Sequence, residues 1–301
     1  MIDPTYLPFD PEMLRAHFTP DANVEGNLRY YLRSAAEYEG FRLATPARTG
    51  LPLSKLKAPC QIEKDERFWT AACWLALFHG PHRTERLQGL LSQAFGRTPP
   101  LVDLTSWPEC LEGDLQLYLE ASLPSPTTYT AWLREALPKR HLVPYVFDAA
   151  AGSGAGALEG ATHVDALLIN VTNGFAVLVE AKVLSDISTQ VQFDAKRNQL
   201  IRSIDVMLEQ NLALGPPRSA RIPERSLFVL LTPEMFRREP HTRLYGWMLR
   251  EYQSNPTAME RDLPHRKGMN WGRLAQRLGW LTWEECAAVA PGVCGWLAPS
   301  R

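Results

Sequence analysis

The sequence predicts an α/β protein in which helices flank a mixed central sheet and a helical N-terminal region precedes it. Two apolar runs, about Val164–Val171 and Phe175–Val183, enclose the pair Asn173-Gly174, which is a strong signal for a β-hairpin. An amphipathic segment, about Thr189–Leu212, follows and predicts a long helix. Ser226–Thr232 is nearly all apolar, as buried strands are. This order of strands and helix is typical of a mixed sheet covered by helices.

Residues up to about Pro126 are expected to be mainly helical. Apolar side chains recur at helical spacing in three segments, which are Asn27–Glu39, Asp65–Phe78 and His82–Phe95. Proline-bearing breaks separate these segments. The segment Gly113–Leu123 is amphipathic, and its pattern leaves helix and strand open.

Further elements are expected between this region and the hairpin. Thr127 or Thr128 is a candidate N-cap for a helix that runs to about Leu137. The segment Leu142–Phe147 is interpreted as a short strand. The glycine-rich link that follows, Ala149–Gly160, is interpreted as a flexible connection, because no Gly-Lys-Ser/Thr sequence completes a phosphate-binding loop.

The chain after the last predicted strand is expected to be helical and rich in loops. We divide the sequence near residue 120. Residues 1–120 form the helical N-terminal region, whose role the sequence does not indicate. Residues 121–301 form the α/β domain with a helical C-terminal extension.

The composition is that of a folded globular protein. The 301 residues are 45% hydrophobic and 22% charged, and the formal net charge is −1, so the chain as a whole is not a polybasic binder of nucleic acid. No apolar run of about 18 or more residues predicts a membrane span. The first five residues lack the features of a secretory signal. A soluble protein without a membrane partner is expected.

The cysteines predict a reducing environment. There are five of them, an odd number, and no pair has the CxxC spacing, which argues against a disulfide framework and against a structural zinc site. Free thiols in the cytoplasm are therefore expected.

Asp165, Glu180 and Lys182 are the most informative residues, because they are charged groups within the two apolar runs of the hairpin. Such groups are costly among Val, Leu and Ile unless they are paired or bind a metal. Glu180 and Lys182 are two residues apart on one strand, so both side chains leave the same face. Counting back from the turn places Asp165 opposite about Val179–Lys182, where its carboxylate converges with that of Glu180.

Two converging carboxylates repel each other, and a bound Mg²⁺ or Mn²⁺ ion removes this repulsion. Such an ion neutralises charge on a phosphate and lowers the pKa of an attacking water, as phosphodiester hydrolysis requires. We therefore expect Asp165 and Glu180 to ligate the metal and Lys182 to orient the water or stabilise developing negative charge. The alternative is that Glu180 and Lys182 form an ion pair at a sheet edge without catalytic function.

Asp165 and the triplet Glu180-Ala181-Lys182 resemble the PD-(D/E)XK nuclease superfamily. The resemblance covers roughly residues 125–235, and the proline of the family name is missing before Asp165. It implies a restriction-endonuclease-like core and a Mg²⁺-dependent endodeoxyribonuclease. The family often carries a Gln-x-x-x-Tyr signature on the helix after the lysine-bearing strand. Gln199 matches its glutamine, which implies that Gln199 steadies the site or the phosphate, whereas Ser203 stands at the tyrosine position.

The resemblance also implies a further acid, which the family often takes from a preceding helix. Glu135, just before the first predicted strand, fits that place. Glu159 is a competing candidate, and we rank Glu135 above it.

The expected function is metal-dependent hydrolysis of nucleic acid, with DNA ranked above RNA. A homodimer is compatible with the sequence. One rival interpretation is a catalytically inactive protein that keeps the nuclease fold and binds nucleic acid or acts in an assembly. A second rival is an interaction protein whose N-terminal helices carry the function.

Overall fold

The structure is a computed structural model, and it describes residues 11–28, 30–31, 65–140, 158–188, 193–194 and 196–290, without the side chains of residues 138–140. The strands of this described part form one five-stranded sheet in the order β1-β2-β3-β4-β5. They are β1 (Leu115–Leu123), β2 (Thr162–Asn170), β3 (Ala176–Ala181), β4 (Ser226–Thr232) and β5 (Leu278–Thr282).

Helices precede the sheet and connect its strands. The α-helices in the described ranges are α1 (Pro11–Arg15), α2 (Glu66–His79), α3 (Arg83–Phe95), α4 (Trp107–Leu111), α5 (Thr127–Arg140), α6 (Gln199–Met207), α7 (Glu234–Arg238), α8 (Leu244–Ser254), α9 (Ala258–Asp262), α10 (Trp271–Gln276) and α11 (Trp283–Val289). The predicted helices at Asp65–Phe78, His82–Phe95 and Thr127–Leu137 are thereby confirmed. None of the helices within the described ranges has the length and apolar character needed to cross a membrane.

The sheet is mixed, as the sequence predicts. Strand β2 is antiparallel to both β1 and β3, whereas β3, β4 and β5 are parallel to one another. One face of the sheet packs on an apolar layer that includes α2, α3 and α4, and the other face packs on α6, α8 and α10. Strands β3 and β4 are buried at every position, because both faces of these central strands are covered.

The predicted hairpin is formed by β2 and β3. Gly174 has a φ of 76°, which favours glycine. A Cβ atom at this position would come within 2.6 Å of the Ile222 side chain. The Asn173 carboxamide oxygen accepts a hydrogen bond from the Phe175 N–H at 2.9 Å, and the Gly174 N–H donates to the Asn170 carbonyl at 2.8 Å. The Asn-Gly pair therefore fixes the register of the two strands.

Strand β1 bears on two predictions, the open pattern at Gly113–Leu123 and the division of the chain near residue 120. The open pattern at Gly113–Leu123 is a strand, in which buried and partly exposed residues alternate at every position. This strand spans residue 120, where the sequence analysis divides the chain. The predicted strand Leu142–Phe147 lies outside the described residues, as does most of the segment Asn27–Glu39.

The long helix predicted after the hairpin is wrong in its length. Helix α6 begins at Gln199, because the side chain of Asn198 accepts a hydrogen bond from the Ile201 N–H at 3.0 Å and caps the helix. Phe193 does not extend the apolar stripe of α6. It packs instead in a separate cluster with Tyr129 and Leu133. The cap thus sets the start of α6, and Phe193, which precedes it, belongs to another hydrophobic cluster.

Strand β5 is an element that the sequence analysis did not predict. It pairs in parallel with β4, and Trp280 is one of its buried residues. Three cysteines lie in the described ranges, and all three are buried free thiols, namely Cys73, Cys110 and Cys286.

Candidate functional site

Three carboxylates lie at the same level of the sheet on three neighbouring strands. The register of β1 and β2 sets Glu120 opposite Asp165. Continuation of the β2–β3 register sets Asp165 opposite Glu180. Residues that face each other across antiparallel strands have Cβ atoms about 5 Å apart. The sheet therefore brings together the two acids predicted from the sequence and adds a third from β1.

A cavity of about 490 Å³ opens at this level of the sheet. The N-terminal end of α2 forms one wall, and the strands and the start of α6 form the others. The lining residues are Asp65, Glu66, Arg67, Glu120, His163, Asp165, Lys182 and Gln199. Glu180 lies beneath this lining and is fully buried.

Glu180 receives hydrogen bonds from three side chains. Lys182 Nζ donates to Glu180 Oε1 at 2.8 Å, and Gln199 Nε2 donates to the same oxygen at 2.5 Å. Ser203 Oγ donates to Glu180 Oε2 at 3.3 Å. Gln199 and Ser203 are four residues apart and share one face of α6. Burial raises the pKa of Glu180, and the charge of Lys182 opposes that effect.

Lys182 joins β3 to α2. Its ammonium group donates to Glu180 and also to Glu66 Oε2 at 3.1 Å. Its backbone is fixed, because the Lys182 N–H donates to the Leu231 carbonyl at 2.8 Å and the Lys182 carbonyl accepts from Trp283 Nε1 at 3.0 Å. Burial alone would lower the pKa of Lys182, but the surrounding carboxylates outweigh it and raise the pKa. The side chain is therefore a fixed positive charge at the cavity.

Asp165 ends the pairing of β2 with β3. Its Oδ2 atom accepts a hydrogen bond from the Ala181 N–H at 2.7 Å, so a carboxylate takes the position of a backbone carbonyl. The side chain is partly exposed to the cavity. Burial and then the charge of Glu180 raise the pKa of Asp165 well above its ordinary value, although Lys182 acts in the opposite direction. A cation in the cavity would relieve this repulsion.

The backbone of Glu120 is strained, with a φ of 51° inside a strand. Residues two apart on a strand normally share a face. Here Leu119 packs in the layer of α2, whereas Ala121 packs in the layer of α6. Arg67 Nε lies 3.4 Å from Glu120 Oε1. Burial and the charge of Asp165 raise the pKa of Glu120 to about 7, against the opposing charge of Arg67.

Sequence reasoning missed Glu66 and Glu120. Glu66 is separated from Lys182 by 116 positions in the sequence, and no local pattern connects them. The signals present were Asp65, which caps α2 by accepting from the Arg67 N–H at 3.2 Å, and the alternation along β1. In that alternation Glu120 occupies a polar position, where a solvent-exposed glutamate is equally expected.

Glu135 and Glu159 lie away from the lining of the cavity. Glu135 is exposed on α5. Glu159 is buried, and its two oxygens accept hydrogen bonds from Arg197 Nε and Nη2 at 2.7 and 2.9 Å. Arg197 also donates to Asp205 at 2.8 Å, and its guanidinium lies 3.6 Å from the ring centroid of Tyr129. The carboxylate of Glu159 thus belongs to a buried ion-pair network between α5 and α6.

The donor atoms of the cavity are carboxylate oxygens, which suit Mg²⁺ and Mn²⁺. Asp165 and Glu180 are the two that converge across β2 and β3. Within the described ranges, no group of three or more His, Cys, Asp and Glu side chains is arranged to hold a metal ion. Lys182 lies between the carboxylates of Glu180 and Glu66 and neutralises part of their charge.

The chain matches no protein-family model, no curated protein and no solved structure.

Proposed function

We propose that the protein is a divalent-cation-dependent nuclease of the PD-(D/E)XK type that hydrolyses phosphodiester bonds, with DNA as its substrate. The observation that carries the proposal is the convergence of Asp165, Glu180 and Lys182 from two adjacent strands, with Gln199 on the next helix hydrogen-bonded to Glu180. The order of three antiparallel strands, a helix and a parallel strand also agrees with a restriction-endonuclease-like core.

Asp165 and Glu180 would hold the Mg²⁺ or Mn²⁺ ion. When bound, the ion would neutralise charge on the scissile phosphate and lower the pKa of the attacking water. Lys182 is charged, because its pKa is raised by neighbouring carboxylates, so it does not accept the proton of the water. It orients the water or stabilises the negative charge that develops on the phosphate.

The neighbouring residues set the geometry of these groups. Gln199 and Ser203 hold the two oxygens of Glu180 from the side of α6. Glu66 holds the ammonium group of Lys182 from the side of α2. Such supporting contacts orient ligand carboxylates and tune their affinity for a metal.

One observation favours a second candidate, an inactive protein that keeps the fold and binds nucleic acid. The ammonium of Lys182 already pairs with Glu180 and Glu66, so an internal cation satisfies part of the negative charge. Calorimetry with Mn²⁺ separates the two candidates. The nuclease binds the ion and loses this binding in Glu180→Gln, whereas the inactive protein binds no Mn²⁺ at this site.

The decisive experiment measures nicking of supercoiled plasmid by the purified chain in Mg²⁺. Lys182→Ala should abolish nicking, and Lys182→Met should do the same with a side chain of similar length. Both variants should keep Mn²⁺ binding, because the carboxylates remain. The matched control is Lys267→Ala, since Lys267 is exposed and lies outside the cavity lining. Full nicking activity in a folded Lys182→Ala protein would overturn the mechanism.

A further inference from the structure

Helix α8 carries an aromatic side chain between two arginines on one face. Arg243 is the N-cap of α8, and Trp247 and Arg250 follow at spacings of four and three residues, which place all three on the same side of a helix. The side chain of Trp247 is 46% exposed. Most large aromatic side chains on soluble proteins are better covered, so this exposed indole is a candidate contact for a partner.

The two arginines are held in place and keep their charge available. The guanidinium of Arg243 lies 4.3 Å from the ring centroid of Phe236, and that of Arg250 lies 5.4 Å from a ring centroid of Trp280. The hydrogen bonds of Arg243 go to the carbonyls of Thr242 and Leu184. In the part of the chain that the structure describes, neither guanidinium forms an ion pair with a carboxylate. Both charges are therefore free for an anion.

The same face lies next to the candidate site. Asp186 Oδ2 accepts a hydrogen bond from the Leu244 N–H at 2.7 Å, and Asp186 Oδ1 accepts from the Tyr245 N–H at 3.2 Å. These contacts attach the start of α8 to the loop that leaves β3. Leu184 lies in that loop, two residues after Lys182, and is 48% exposed. Arg243 Nη2 donates a hydrogen bond to the Leu184 carbonyl at 3.3 Å, so this loop contacts the start of α8 two residues after Lys182.

We infer that Leu184, Arg243, Trp247 and Arg250 bind a single-stranded stretch of DNA beside the cavity. This inference rests on the proposed nuclease function and names the form of its substrate. An unpaired base offers a π-face that stacks on an exposed indole, and the flanking guanidinium groups pair with backbone phosphates. Bases in a duplex are already stacked inside the helix, so Trp247 discriminates in favour of an unpaired strand.

The test uses the full chain in EDTA, where binding is measured without cleavage. Fluorescence anisotropy compares a labelled oligo(dT) with a duplex of equal length. Trp247→Ala should weaken oligo(dT) binding by about 5- to 150-fold, because the variant loses one base–aromatic stack, and Trp247→Phe should retain most of the affinity. Duplex binding should change far less. Leu212→Ala is the control, because Leu212 is 73% exposed and outside this face.

A second variant tests the charge independently of the indole. Arg250→Gln should weaken oligo(dT) binding and reduce the salt dependence of log K by about one counterion. Unchanged oligo(dT) affinity in both Trp247→Ala and Arg250→Gln, or equal losses on duplex and single strand, would overturn the inference.

The outcomes also separate this inference from the nuclease proposal. Binding of oligo(dT) that depends on Trp247, in a protein that never nicks DNA in Mg²⁺, supports the strand-binding face and rejects the nuclease. Nicking that depends on Lys182, with strand binding indifferent to Trp247, supports the nuclease and rejects this face.

Discussion

Glu120 faces Asp165 across β1 and β2, and it does so from a backbone conformation in the left-handed region, with a φ of 51°. Such a conformation costs a non-glycine residue about 1–2 kcal/mol. Strain of this kind clusters at functional sites, where the surrounding structure enforces it. Glu120 is therefore a strained residue in the lining of the cavity.

Replacement of Glu120 by glycine should give a more stable protein than replacement by alanine. Both variants remove the carboxylate, but only glycine adopts a φ of 51° without a Cβ penalty. We expect Glu120→Gly to exceed Glu120→Ala in free energy of unfolding by about 1 kcal/mol, measured in urea. At Gln116, also on β1, alanine should be the more stable replacement. If the glycine variant were the more stable one at both positions, or the alanine variant at both, the strain at Glu120 would not explain the difference.

The stability of the metal-free protein should depend on pH through Glu120. Its pKa is raised to about 7 in the folded state, so the protonated form stabilises the fold. That stabilisation is complete below the unfolded pKa of about 4.5 and is lost as the pH rises through about 7. The loss amounts to about 3 kcal/mol.

The measurement is urea unfolding of the wild type and Glu120→Gln in the presence of a chelator, from acid to neutral pH. The variant should gain stability relative to the wild type as the pH rises, because glutamine carries no charge to desolvate. For Glu112→Gln, at an exposed position, the free energy of unfolding should follow the same pH dependence as that of the wild type. Parallel curves for Glu120→Gln would show that Glu120 does not titrate in this range.

Loss of the hydrogen bonds to Glu180 should weaken metal binding. Gln199→Ala removes a donor at 2.5 Å and Ser203→Ala removes one at 3.3 Å. We expect a loss of about 10- to 100-fold in Mn²⁺ affinity or nicking rate for Gln199→Ala, and a smaller loss for Ser203→Ala. Gln253→Ala is a matched control, because that side chain donates to the Leu278 carbonyl elsewhere. Equal Mn²⁺ affinities for Gln199→Ala and Gln253→Ala would show that Gln199 does not support metal binding.

Replacement of Glu159 should lower stability without lowering activity, and replacement of Glu135 should change neither. Glu159→Ala leaves Arg197 buried with one fewer partner, and breaking a buried pair in this way costs about 3–5 kcal/mol. The nicking rate per folded molecule should be unchanged. Glu135→Ala changes an exposed position and should alter neither quantity. A lower nicking rate in folded Glu135→Ala would show that Glu135 contributes to the active site.

The hairpin and its site residues were predictable because their signals are local. Asn173-Gly174 fixes the turn, and the strict period of a strand then determines which residues face each other. Asp165 and Glu180 lie in the two strands that this turn joins, so counting from the turn reaches both residues. Gln199 was indicated by the family resemblance, and the helix that carries it begins later than the periodicity indicated.

The rest of the site depends on tertiary contacts that no local pattern encodes. Glu66 meets Lys182 through the packing of α2 against the sheet, across 116 positions of sequence. Glu120 reaches the cavity through a backbone conformation that only the structure reveals. Phe193 has the spacing of a helical residue, but it packs in another cluster and the helix begins only at Gln199. In each case packing overrode a local preference.

Strand β1 has a consequence for any attempt to shorten the protein. A fragment beginning at residue 121 would lose most of β1 together with the wall that α2 contributes. The N–H and C=O groups of β2 that now pair with β1 would form an open edge, and open edges template association between molecules. Self-association of such a fragment would then reflect a missing neighbour strand and would carry no information about the natural oligomeric state.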